Sequence, residues 1–423
     1  MSSEAIRDAF TAVGYQFVQL EPKLAGIKER WRPDVVAWAA DASGTLVPWA
    51  VVETKQAREP IHPASGLSAL ARARDLLGTV DHYVVVNEAE WYRADAGLQR
   101  LVKVDGPEPP PNGGEGEIAD ADLLTSLLTE DLWRAASRVR DRGHSVIDFV
   151  FSPQLTSNFT GFRTSTGTWI RASRKALWQA RRNAVVEFAR RGREAGEFTS
   201  HRGIAKAVAQ LAGNKLTSDL LDPFCGTGSF LWEAIDYAQE HDTGLSTVLA
   251  YDMNQRMVDL VRSIGEVAPV PVEIVQGDAF QADLSLTSCV VTAPPLGLRL
   301  DKPHDLLDGS MTKDADLVAI DRIVRVLDDG GRAVIQVPAG VTFRSSGEGY
   351  RRYLANRFRV AALIGCPPGV VPGTGVRSVL LVIENAEPTD TFVAQLGEDW
   401  EAQLAPGGAA LEAALAHIDG GRS

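Results

Sequence analysis

From about residue 198 the chain repeats one pattern. A short apolar run gives way to a turn, and a stretch of helical period follows. The runs are LLDPF (220–224), TVLAYD (247–252), VEIVQGD (272–278), SCVVTAPP (288–295), RAVIQVP (332–338), VAALIGCP (360–367) and RSVLLVIEN (377–385). Strands alternating with helices predict a largely parallel sheet covered by helices on both faces. The second half is therefore expected to be α/β, with its ligand site where strands feed helices.

The run LLDPFCGTGSFLWEA (220–234) is the most informative of these. An apolar strand ends at Asp222-Pro223, a Gly-rich turn follows, and a helix opens near Ser229. Gly226 and Gly228 let backbone approach a ligand closely, and the helix start offers free N–H donors. A dinucleotide fingerprint would need G-x-G-x-x-G, and a phosphate loop would end in Gly-Lys; neither is present. The stretch resembles motif I of S-adenosylmethionine-dependent methyltransferases, in the DPxxGTG form of the amino-methylating branch.

The resemblance continues in order. FTSHRGIAKAVAQL (198–211) is similar to the segment that precedes motif I and contacts the methionine end of the cofactor. LAYDMN places Asp252 at a second strand end, where an acid can accept both ribose hydroxyls. VQGDAF supplies Asp278, which the resemblance assigns to the adenine amino group. The implied cofactor-binding residues are Thr199, Asp222, Pro223, Phe224, Gly226, Thr227, Gly228, Asp252, Asp278 and Ala279. The runs 322–341 and 350–385 resemble the modification subunit of type I restriction-modification enzymes. Those are adenine DNA methylases acting beside a separate specificity subunit. RNA methyltransferases carry a nearly identical Gly loop, but the run ending CPPGVVPGTGVRSVLLVIEN looks like the DNA branch.

CVVTAPPLG (289–297) falls at motif IV, the expected catalytic stretch Ala293, Pro294, Pro295 and Leu296. Amino-methylating enzymes usually carry Asn or Asp, then Pro-Pro, then an aromatic. The polar side chain and a Pro carbonyl accept both amine hydrogens, which aims the nitrogen lone pair at the methyl carbon. The aromatic stacks on the flipped base. Ala293 offers no acceptor and Leu296 no π face. Losing such a preorganised partner costs on the order of 10²–10³ in rate. Slow methyl transfer, or a degenerate module serving as a cofactor or DNA sensor or as a scaffold of an anti-phage complex, are the two expectations this leaves.

The N-terminal third has its own motif. RPDVVAWAADASGTLVPWAVVETK (32–55) reads as a hairpin around DASG and contains Pro33-Asp34 and then Glu53-Thr54-Lys55. It resembles the PD-(D/E)xK nucleases, in which an Asp and a Glu bind a divalent metal and the Lys helps activate water. Helix, hairpin, helix, strand is the element order of that core. Asp34 and Glu53 would then hold Mg²⁺, which suits hard carboxylate oxygens, with Lys55 beside them and Glu4 as a further carboxylate.

The formal net charge is −12, which disfavours non-specific nucleic-acid binding by the chain as a whole. The segment 171–193 runs against that balance, with Arg171, Arg174, Lys175, Arg181, Arg182, Arg190, Arg191 and Arg193. It is either a phosphate-facing surface or a helix whose aliphatic stems cover a core containing Trp178 and Phe188. The three cysteines are dispersed, and no apolar run spans a bilayer; a reducing cytoplasm and no membrane partner are expected.

The expected organisation is a nuclease-like α/β domain at 1–105, a Pro/Gly linker at 106–118 and a helical segment at 119–195. A Rossmann-like class I methyltransferase sheet at 196–390 and a tail at 391–423 follow. S-adenosylmethionine, DNA and a separate specificity or defence subunit are the implied partners. No stretch is large enough for a target-recognition domain, so a partner is expected to read any target sequence.

Overall fold

The computed structural model describes residues 3–22, 32–56, 62–87, 89–143, 156–158, 161–163, 168–191 and 199–420. The chain forms two compact units, Met1–Val146 with Gln154–Val185, and Ile147–Pro153 with Val186–Ser423.

The first unit opens with α1 (Ser3–Ala12), β1 (Phe17–Leu20), β2 (Val35–Ala40), β3 (Leu46–Lys55), α2 (Leu67–Leu77), β4 (Asp81–Val86), β5 (Glu90–Ala94) and β6 (Leu101–Val104). The six strands lie side by side in chain order. Only β3 and β4 run parallel, because α2 carries the chain back between them. Phe10, Tyr15, Tyr83 and Trp91 pack edge-on or tilted beneath the sheet.

The Pro/Gly stretch expected as a free linker at 106–118 is bonded along this unit. The amide N–H of Glu108 donates to the Tyr83 hydroxyl at 3.0 Å. That of Ala40 donates to the Gly113 carbonyl, and that of Glu117 to Gly44. The glycines explain the fit: a Cβ on Gly114 would lie 1.7 Å from the Gly14 carbonyl oxygen. Missing side chains allow a close backbone approach here, where the composition had pointed to flexibility. The run then enters β7 (Glu117–Ile118) and α3 (Ala121–Asp141), whose first turn is capped by Asp120. A small sheet of β7, β8 (Thr156–Asn158), β9 (Gly161–Arg163) and β10 (Trp169–Ala172) precedes α4 (Arg174–Arg191).

The second unit contains α5 (Arg202–Ala212), β11 (Asp219–Asp222), α6 (Ser229–His241), β12 (Thr247–Asp252), α7 (Gln255–Gly265), β13 (Val272–Gln276) and β14 (Thr287–Thr292). The hairpin β15 (Arg299–Asp305) and β16 (Met311–Asp314), α8 (Ala315–Arg325), β17 (Leu327–Pro338), α9 (Glu348–Arg357), β18 (Arg359–Cys366) and β19 (Ser378–Glu384) follow. β20 (Phe392–Gln395), α10 (Trp400–Leu404) and α11 (Ala409–Gly420) complete it. The sheet order is β13-β12-β11-β14-β17-β19-β18-β20. All neighbours are parallel except around β19, which runs antiparallel to both β17 and β18. The chain winds outward from β11 to β13 and then restarts at β14 on the other side. That reversal opens a crevice at the strands' carboxyl ends, where open α/β sheets bind ligands.

Of the expected tail at 391–423, the described residues 391–420 are part of this unit. β20 pairs with β18, and α11 closes a buried charge network. Arg332 and Glu384 are both fully buried, 2.8 Å apart. Arg332 also reaches Asp419 on α11 at 2.6 Å, and Arg359 donates to Glu384 and to the Ile418 carbonyl. Burial pushes the Glu384 carboxyl up, but the Arg332 charge and the hydrogen bonds from Arg359 and Arg332 outweigh it and hold the group below the usual glutamate range. Among the described residues no helix is long and apolar enough to cross a membrane.

Removing one member of a buried ionic cluster leaves an uncompensated charge. Glu384→Ala is expected to lower stability by about 3–5 kcal/mol in urea unfolding. The folded carboxyl is depressed, so its contribution is present above the unfolded glutamate value and lost as pH falls through the folded one. Glu384→Gln should therefore flatten the wild type's stability loss on acidification below the ordinary glutamate range.

Candidate active site at the switch point

The Gly-rich turn is held from three directions. The Cys225 N–H donates to the Tyr251 carbonyl, and the Gly228 N–H to that of Cys225. The Gly226 N–H donates to Asp252 Oδ2 at 2.9 Å. Gly228 sits at φ +76°, and a Cβ there would lie 2.5 Å from the Trp232 ring. That ring nitrogen in turn donates to the Thr227 carbonyl. Conformation and space both demand glycine, and α6 starts at once behind it.

Beside the turn lies a cavity of about 720 Å³ lined by residues between Thr199 and Pro372. This size is within the range of small-molecule and cofactor sites. Of the expected cofactor residues, Thr199, Asp222, Pro223, Phe224, Gly226, Asp252, Asp278 and Ala279 line it. Thr227 and Gly228 do not. Thr227 is fully buried, with its hydroxyl between Thr199 and Ser229, and Gly228 serves the turn. Ala293, Pro294, Pro295 and Leu296 line the same cavity. The structure thus unites the Gly loop and motif IV, 70 residues apart in sequence, across the gap between β11 and β14.

One hydrogen bond makes that union rigid. The Thr292 hydroxyl donates to Asp222 Oδ1 at 2.6 Å, and the Phe224 N–H donates to the same oxygen. Burial pushes the Asp222 carboxyl up to about 7, against the pull of these donors and with help from the Asp252 charge. Asp252 is raised by burial too, although it accepts from the Asn254 and Gly226 amides. Asp278 accepts from the Phe280 N–H and the Gln281 side chain. Burial drives the Cys225 thiol well above its ordinary value, so it presents no thiolate nucleophile.

Several lining residues had not been singled out. Met253 follows Asp252 and is 73% exposed. Phe280 contacts Phe224, ring centroids 4.9 Å apart. Gln336, Val371 and Pro372 come from beyond residue 330. The one sequence signal for the last group is a lone Gln inside the apolar run AVIQVP.

In the first unit, the register Val35↔Val52 continues to bring Asp34 beside Glu53. Asp34 Oδ2 accepts from the Thr54 amide and hydroxyl at 2.6 Å each, and Lys55 bonds Glu53 at 2.7 Å. Burial raises the Glu53 carboxyl above its usual range, and the Asp34 charge adds to this. Glu4 is exposed on α1. Among the described residues no group of three or more His, Cys, Asp or Glu is placed to hold a metal, so Glu4 does not join the pair.

The basic helix requires a correction. Arg174 and Lys175 are exposed on its first turn, but Arg181 and Arg182 are 1% and 4% exposed. Arg182 lies over the Trp178 ring, and Trp178 and Phe188 are buried. The stems and guanidinium groups of Arg181 and Arg182 are core material, unavailable to phosphates. The side chains of Arg190 and Arg191, and all of Arg193, lie outside the described residues.

Comparison with known proteins bears on the second unit. The family described as N-6 DNA Methylase matches residues 184–400. The EcoEI type I restriction enzyme methylase subunit of Escherichia coli is 26% identical over 220 residues, covering 46% of this chain and 44% of the relative. The MpnII type I restriction enzyme methylase subunit of Mycoplasma pneumoniae is 25% identical over 221 residues, covering 46% and 41%. The chain thus matches under half the length of either relative. In structure, a protein assigned to the class I S-adenosylmethionine-dependent methyltransferases, from Listeria monocytogenes, superposes with a TM-score of 0.55. It is 14% identical and covers 70% of this chain and 98% of its own.

Thr292→Val removes the hydroxyl donor from Asp222 and is expected to cost about 1–3 kcal/mol in urea unfolding. The ionised carboxylate loses most, so the folded Asp222 value rises further. A raised acid weakens the fold as pH climbs from its unfolded to its folded value. The deficit should therefore be larger at pH 8 than at pH 5.

Proposed function

The chain belongs to the N-6 DNA methylase family, and on that premise we propose that it is an S-adenosylmethionine-dependent adenine DNA methyltransferase. The observation that carries this reading is the single cavity shared by the Gly loop, Asp252, Asp278 and Ala293–Leu296. The residues present suit the cofactor. Asp252 keeps lone pairs beyond the two backbone donors it satisfies, enough for a ribose diol. Asp278 and Ala279 stand at the next strand end, with the Phe224–Phe280 pair and exposed Met253 as apolar surface for a purine. Thr199 and Ser200 face the cavity from before α5, where the methionine end would lie.

The bound cofactor would supply an electrophilic methyl group. This chain's residues would place the target amine beside it. The Pro294 carbonyl accepts one amine hydrogen, and Leu296 covers the base with aliphatic surface. Sequence recognition would fall to a separate specificity subunit, as the type I methylase relatives suggest, within a restriction-modification or related anti-phage system. The first unit would contribute DNA contact, or cleavage assisted by Mg²⁺ at Asp34 and Glu53 with Lys55 alongside. Arg174 and Lys175, exposed on the first turn of α4, would face phosphates.

A second reading has support in Ala293 and Leu296: a methyltransferase module of little turnover, kept as a cofactor or DNA sensor or a scaffold in a defence complex. The two readings separate on turnover.

Calorimetric titration with S-adenosylmethionine should show binding that weakens at least about tenfold in Asp252→Ala, the value of one or two lost hydrogen bonds. No binding by the wild type would remove the first reading and leave the scaffold. Methyl transfer to DNA in the presence of the specificity partner should be measurable in the wild type and fall at least about tenfold in Asp252→Ala. No transfer by a folded wild type that binds the cofactor would favour the scaffold.

A further inference from the structure

Between residues 293 and 372 the cavity wall is aliphatic or proline except at one position, Gln336. This side chain is 4% exposed and sits on β17, between Ile335 and Val337 of the hydrophobic core. Side chains alternate along a strand, so Gln336 projects from the face opposite to those two. A buried amide is costly unless both ends are hydrogen-bonded. Here one end is satisfied: Nε2 donates to the Ser378 hydroxyl at 3.1 Å, and Ser378 is fully buried. The amide oxygen meets no donor among the described residues, and the side chain faces the cavity. Register adds the position. β14 and β17 pair Thr292 with Ile335, and one further step along these parallel strands sets Gln336 beside Ala293.

We propose that the Gln336 amide oxygen accepts a hydrogen bond from the exocyclic amino group of the target base, in place of the side chain that Ala293 lacks. This rests on the methyltransferase reading above and specifies how its base site works. Ser378 occupies the amide nitrogen and so leaves the oxygen, an acceptor, turned to the ligand. An acceptor suits a 6-amino purine and rejects a 6-keto one. With Pro294 accepting the second hydrogen, the amine would again have both hydrogens held. Gln is one methylene longer than Asn and comes from the neighbouring strand, which suits reach toward the same nitrogen. Gln336 only positions the amine; no proton or electron pair passes through it.

The test needs neither partner nor target sequence. Dissociation constants of deoxyadenosine and deoxyinosine are measured by ligand-observed NMR on the full chain, with and without saturating S-adenosylhomocysteine. The wild type should favour deoxyadenosine by about tenfold, the worth of one hydrogen bond. Gln336→Leu should lower that preference at least about threefold, the Pro294 carbonyl still accepting, while S-adenosylhomocysteine affinity and the circular dichroism spectrum stay at wild type. Ser378→Ala, which frees the amide to rotate, should give an intermediate preference. The double variant Ala293→Asn with Gln336→Leu should regain the preference. A tenfold preference surviving in Gln336→Leu would overturn the proposal, as would a wild type that binds neither nucleoside or binds both alike. Failure of the wild type to bind S-adenosylhomocysteine strikes the methyltransferase reading itself; the nucleoside arm run without it still decides Gln336.

Discussion

The hydrogen bond from Thr292 to Asp222 is the joint on which the site depends. It spans the two strands that diverge at the sheet's reversal point, one feeding the Gly loop and the other motif IV. Further from the cavity the same strands are tied by backbone pairing at Leu221 and Val290 and by hydrogen bonds from Ser288 to Asp219. The bond also tolerates an otherwise costly choice, an aspartate 2% exposed beside a second, half-buried acid. Stability is being sacrificed at the place where chemistry requires a shaped, polar wall, a pattern seen where structure serves function.

Away from the cavity, the same sheet is organised by charge. Arg332 and Arg359 converge on Glu384 and bind α11 through Asp419 and main-chain carbonyls. A buried ion cluster stabilises little compared with apolar packing, but it accepts only one arrangement of its partners. It thereby sets where the last helix docks and keeps β20 beside β18. The cavity and this network meet on one continuous strand, β17, with Arg332 near its middle and Gln336 four residues on.

Much of the second unit was legible in the residues, and the reasons are physical. The α/β alternation and the DPFCGTG turn have few structural solutions, so the parallel sheet and the Gly-loop conformation follow; Asp278 came from the resemblance to methyltransferase motifs, and it lines the cavity with Asp222 and Asp252. Packing that depends on absent side chains was not legible. Gly113 to Gly116 read as flexible, yet Gly114 lets backbone touch backbone at Gly14. The tail read as separate because β20 is short, with alternating half-buried and exposed positions, and gives a weak apolar signal. Arg181 and Arg182 read as a phosphate surface, because charge shows in sequence while burial of a guanidinium shows only in three dimensions. Gln336 was passed over because one polar residue in an apolar strand gains meaning only when the strand beside it is known.

The central claim is that one cavity, between Thr199 and Pro372, holds the cofactor against the motif IV turn. Amide hydrogen exchange of the full chain with and without S-adenosylhomocysteine tests it most directly. The account predicts added protection confined to the Gly loop around 224–229, the strand ends at 252–254 and 278–280, and the turn at 293–297. Protection elsewhere with these segments unchanged, or no protection at saturating ligand, would contradict it.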